Sequence, residues 1–251
     1  MMRVHSSVVR LAQRMPSWPV EKVPRDHRES DGAFRHRRHV VAGVGVAGAG
    51  LLGVSLSTRP NSPQFFTLSL GVATTWLAGG LHSGPLHAGW VRTAENTYRR
   101  PVITPIVVGA GAFGAFYAAA LVARRIPVLN RALTSILEYA HDDAHRLVLL
   151  TTLANGAAEE VFFRGALFAA LGVRHPVSHS TALYMLATTA TRNPALVLAS
   201  GVMGTVFALQ RQASGGIQAP ILSHLTWSTL MLRYLPPLFD GAAHKGGAHH
   251  T

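Results

Sequence analysis

The chain of 251 residues has no cysteine, which excludes disulfides, thiolate catalysis and cysteine-ligated metal centres. Acidic residues are scarce: 11 Asp and Glu stand against 23 Lys and Arg, a formal net charge of +12. Lysine is nearly missing as well, with only Lys22 and Lys245, so the basic charge is almost all arginine. Charged residues make up 14% of the chain, hydrophobic ones 48%, and mean hydropathy is +0.23. That balance is too apolar for a soluble domain of this length. No groove-reading motif accompanies the arginines, which argues against nucleic acid as a partner. Beside long apolar runs they fit a bilayer with anionic lipid and the control of topology.

Apolar stretches fall at about 40–57, 65–81, 102–122, 147–171, 177–190, 194–209 and 216–235. The longer ones match the length with which a helix crosses roughly 30 Å of hydrocarbon. Small residues four apart, such as Ala49 and Gly53, let such helices approach closely. Residues 127–145 read as an amphipathic interfacial helix, with Leu129, Leu133, Ile136, Leu137 and Ala140 opposite Arg131, Glu138 and Asp142. The fold expected is therefore an all-α polytopic membrane protein, a bundle of seven to eight transmembrane helices around a polar cavity. Residues 1–39, basic and broken by Pro16, Pro19 and Pro24, are expected to form a flexible arm. The positive-inside bias puts this arm in the cytoplasm. N-terminal transmembrane helices follow over 40–126, then the interfacial helix, then a catalytic unit over 146–235. Residues 236–251 form a His- and Gly-rich tail expected to be flexible; its His244, His249 and His250 have no fixed geometry.

One apolar run carries charge. Between Arg146 and Leu171 the only ionisable groups are in Glu159-Glu160-Val161-Phe162-Phe163-Arg164. A charge near a bilayer centre costs on the order of 2.5–3.5 kcal/mol on insertion scales, so these residues face a partner or a wet cavity. At 100° per residue Arg164 lies one turn after Glu160, in the favourable acid-before-base order for an i,i+4 pair. Glu159 points elsewhere and is left with no local counter-charge, as suits a general base acting on water. The structural alternative is an ion pair plus one snorkelling acid. His224 and Ser228, also four apart, share a face of the last span, where an imidazole could bind water or stabilise an oxyanion. Tyr184 and Thr188 form a third such pair.

A rival constellation is His141-Asp142-Asp143-Ala144-His145, a variant of the H-E-x-x-H zinc arrangement with Glu159 or Glu160 as third ligand. The competing reading is a solvated helix face, since aspartate is shorter than the glutamate that reaches zinc-bound water.

EEVFFR in an apolar helix, the aromatic-xxx-polar element Tyr184 to Thr188, the Gly-rich run GVMGTVFALQRQASGG and then APILSHLTWS together resemble the CAAX-protease and bacteriocin-processing family of intramembrane endopeptidases, also called the Abi family. The resemblance covers about residues 147–235, and EExxxR is its most specific element. It implies that Glu159 activates the hydrolytic water, that Glu160 and Arg164 complete the first motif, and that His224 is the histidine of the last. Two positions depart from the pattern: Thr188 stands where the second motif, FxxxH, has histidine, and Ser228 stands where the last has asparagine. Serine still donates a hydrogen bond, but threonine supplies no imidazole. The resemblance implies a hydrolase in a bacterial plasma membrane that cuts a membrane-associated protein or peptide, prenylated or not. Alternatives are an impaired member acting as a membrane scaffold, and a zinc protease at His141 and His145; zinc stays open as a cofactor.

Overall fold

A computed structural model of the protein describes residues 29–93, 95–139, 145–172 and 174–239. Among them the elements in order are α1 (Asp31–Ser55), α2 (Pro63–His82), the two-stranded hairpin β1 (Val91–Arg92) and β2 (Tyr98–Arg99), α3 (Ile103–Ala123) and α4 (Pro127–Leu137). Then come α5 (His145–Glu159), a π-helical segment (Glu160–Leu167), α6 (Phe168–Ala170), α7 (Pro176–Thr188), a 3-10 turn (Thr189–Thr191), α8 (Pro194–Ser214) and α9 (Gln218–Tyr234). The apolar stretches read from the sequence are thus all helical. Among the described residues three helices, α1, α3 and α8, are long and apolar enough to cross a membrane by length and composition.

The first helix begins at Asp31, well before the apolar run that starts near Val40. Ser30 caps it, its side chain accepting from the backbone of Ala33. Arg37, 1% exposed, is ion-paired with Glu29 and donates to Ser83 Oγ and to the Pro85 carbonyl, both at 3.0 Å. A buried guanidinium with that many partners draws residues 29–39, assigned above to the flexible arm, into the bundle. Residues 1–28 lie outside the described part.

Chain direction alternates through the bundle. Ser55 bonds Ser69 at one end of α1 and α2, and Arg37 bonds Ser83 at the other. At the centre Trp76, fully buried, packs on Phe162 and Phe163 with ring centroids 4.6 and 5.0 Å away. Gly48 of α1 faces the indole so closely that an added methyl would overlap it. Gly48→Ala is therefore expected to cost about 1–3 kcal/mol, the usual price of overpacking, read as a lower unfolding midpoint in detergent.

The amphipathic helix α4 is shorter than the 127–145 expected. It is strapped across one end of the bundle: the Tyr139 hydroxyl donates to the Leu56 and Thr58 carbonyls at 3.0 and 2.8 Å, and Asn193 Nδ2 donates to the Ala132 carbonyl at 2.8 Å. The same Asn193 caps α8 through Oδ1. Leu137 of α4 packs with Ala120, Leu235 and Phe239, so residues 236–239 of the expected flexible tail are held in an apolar cluster. The rest of the tail lies outside the described residues. So does His141, and His145 is described only as the first backbone position of α5.

Candidate active site

Glu159 ends α5 and Glu160 opens the π-helical segment, so the charged motif straddles a change of helical pitch. The regular 100° spacing assumed for the motif does not hold through it. A wider turn needs external donors for its carbonyls, and neighbouring helices supply them. Ser180 of α7 donates to the Phe163 carbonyl at 3.2 Å, and Arg211 Nε of α8 to the Arg164 carbonyl at 2.7 Å. The backbone N–H of Phe168 also reaches Phe163, five residues back. Such π turns are frequent at functional sites.

Behind the cavity lies a buried charge cluster. Arg164 Nε stands 3.2 Å from Glu160 Oε2, and neither side chain has any exposure, so the i,i+4 pair forms despite the altered pitch. Arg164 Nη2 donates to the Gly204 carbonyl at 3.1 Å, and its guanidinium lies 4.5 Å from the Tyr184 ring centre. The second carboxylate oxygen of Glu160 is 2.9 Å from His224 Nδ1. A carboxylate can only accept, so Nδ1 carries the proton and Nε2 is the nitrogen left for a ligand. His224 stacks on Phe207 with centroids 4.8 Å apart. On α5, one turn before Glu160, Gly156 leaves the ring its place: a β-carbon there would stand 3.3 Å from Cδ2 and 3.4 Å from Nε2. Gly156→Ala should displace the imidazole by a few tenths of an ångström and lower kcat on the order of tenfold with KM little changed, as read from steady-state kinetics.

In front of this cluster is a cavity of about 250 Å³, lined among others by Glu159, Tyr184, Thr188, His224, Trp227 and Ser228. That volume far exceeds the roughly 10–15 Å³ one water needs. Glu159 and His224 thus share a cavity, yet the imidazole is anchored on Glu160 and not on Glu159. Nor is Glu159 without a partner: the Tyr184 hydroxyl donates to its Oε2 at 2.6 Å. Thr188, at the position that departs from the FxxxH pattern, turns its hydroxyl back to the Tyr184 carbonyl at 2.8 Å. Ser228 is buried in the cavity wall.

Sequence reasoning missed one contact and one contributor. Tyr184 is a candidate from its motif position, but its bond to Glu159 is not foreseen. Asn155, one turn before Glu159, lines the cavity and donates to the carbonyls of Ser69 and Thr151 at 3.0 and 2.9 Å. The signal for Asn155 was available, since an amide in the apolar run four residues before a lone carboxylate shares its face. Among the described residues, no group of three or more His, Asp or Glu side chains converges to hold a metal ion.

Residues 143–230 match the family model described as Rce1-like, type II CAAX prenyl endopeptidase. No curated protein and no solved structure matches the chain. The matched family is one of proteases whose substrates are membrane-associated proteins. The segment that supplies Glu159, Glu160, Arg164, Tyr184 and His224 therefore lies within the part of the chain that is similar to type II CAAX prenyl endopeptidases, in line with the resemblance of the EEVFFR run.

Proposed function

We propose that the protein is an intramembrane endopeptidase in which Glu159 activates water against a peptide bond of a membrane-associated protein. The observation that carries this reading is the anchoring of both groups in one cavity wall: Glu159 is held by one oxygen and His224 by Nδ1, so each presents one atom to a ligand between them. Water at Glu159 Oε1 gives its proton to the carboxylate as its oxygen bonds the peptide carbon and the carbonyl becomes an oxyanion. Ser228 donates to that oxyanion, and His224 does so from Nε2 when its ring holds a second proton there, a charge that Glu160 balances through Nδ1. Glu159 then passes the proton to the leaving nitrogen, the C–N bond breaks, and a carboxylic acid and an amine result.

In this reading α1, α2, α3, the α5–α6 run, α7, α8 and α9 traverse the bilayer with α4 at its surface. Seven alternating passes put the start of α1 and the end of α9 on opposite sides, with the start of α1 toward the cytoplasm. The chemistry is tested by comparing membrane proteomes of cells carrying the wild type and Glu159→Gln. Fragments that vanish with the variant support cleavage and name the substrate. Unchanged fragments would favour instead a binding member of the family, the reading to which Thr188 in place of an imidazole lends weight.

A further inference from the structure

We infer that Tyr184 is a positioning residue for Glu159: its phenol hydroxyl holds Oε2, so that Oε1 alone is presented to the water. The inference rests on the protease reading and deepens it. A glutamate side chain has three rotatable bonds, and freezing it in one rotamer costs up to about 1.5–2 kcal/mol of entropy. Among the described residues, Arg164 and His224 make their ion pairs with Glu160 rather than with Glu159. The O–H donor at 2.6 Å is in the range of a strong, charge-assisted hydrogen bond.

The phenol is in turn rigid. Its ring packs on Phe163 at 4.7 Å between centroids and lies 4.5 Å from the Arg164 guanidinium carbon. Across the ring Gly204 approaches so closely that a β-carbon would stand 3.2 Å from Cδ1. The other polar side chain that α7 brings to the cavity, Thr188, has its hydroxyl on the Tyr184 carbonyl. Of the two, Tyr184 is the one that reaches Glu159. Tyrosine and phenylalanine would pack alike here, so the hydroxyl is what the site uses.

The test is Tyr184→Phe, which keeps the ring contacts and so the fold. The expected result is a fall in kcat on the order of 10- to 100-fold with KM unchanged, because a misoriented base weakens the reaction and not substrate binding. A second measurement is independent of activity. The infrared carboxyl band of Glu159, identified by its loss in Glu159→Gln, should move in Tyr184→Phe. It should stay in place in Tyr98→Phe, a substitution in the β2 strand at a residue that does not line the cavity. A band that does not move, or a kcat within twofold of wild type, overturns the inference. A band that moves in a protein that cleaves nothing would keep the Tyr184–Glu159 contact and overturn the protease reading instead.

Discussion

Glu159→Gln should lower the rate of peptide cleavage by about 10²–10⁴-fold, the usual contribution of a general base, with the fold intact. The amide has the shape of the carboxylate, and its oxygen still accepts from the Tyr184 hydroxyl. It cannot take a proton from water. The substitution therefore removes the chemistry and leaves the packing, and the check is kcat and the unfolding midpoint measured on one purified sample. Glu160→Gln makes the informative contrast. Glu160 contacts Arg164 and His224 and not the cavity's contents, so weakening it should lower both stability and rate. If Glu159→Gln cleaved at the wild-type rate, the base would have to be sought elsewhere.

The largest loss of stability is expected from Arg164→Met. Removing one partner of a fully buried ion pair leaves an uncompensated charge, at a cost of about 3–5 kcal/mol. Here the abandoned group is Glu160, with His224 as its remaining partner. The change also removes the donor to the Gly204 carbonyl. The midpoint of thermal unfolding in detergent should drop accordingly. The double variant Glu160→Met with Arg164→Met should recover much of the loss, since two apolar side chains of similar volume carry no stranded charge. It should not recover activity, because His224 then has no carboxylate to hold Nδ1. A single Arg164→Met protein that melts with the wild type would mean that the pair contributes little to stability.

The role of Arg37 shows how a sequence boundary goes wrong. Hydropathy puts the first helix near Val40, because an arginine at 37 reads as part of a solvated arm. In the fold that guanidinium is buried against Ser83 and Pro85, partners 46 and 48 residues away. The same holds for Phe239, which a Gly- and His-rich neighbourhood marks as tail but which packs on Leu137 and Ala120. Burial by distant partners leaves no trace in a local window.

Composition and spacing alone settled that helices form at the apolar runs, and that a charge cluster sits inside one of them, with Glu160 and Arg164 as mates. Those are local matters, decided by hydropathy and by the reach of side chains one turn apart. The tertiary structure alone decided which side chains serve the two glutamates. Tyr184 meets Glu159 from 25 residues on and His224 meets Glu160 from 64 residues on. The widened turn that sets the motif's geometry likewise depends on Ser180 and Arg211, donors that arrive only when α7 and α8 pack against it. Hydrogen bonds between helices follow from how the helices stack, which no periodicity within one helix encodes.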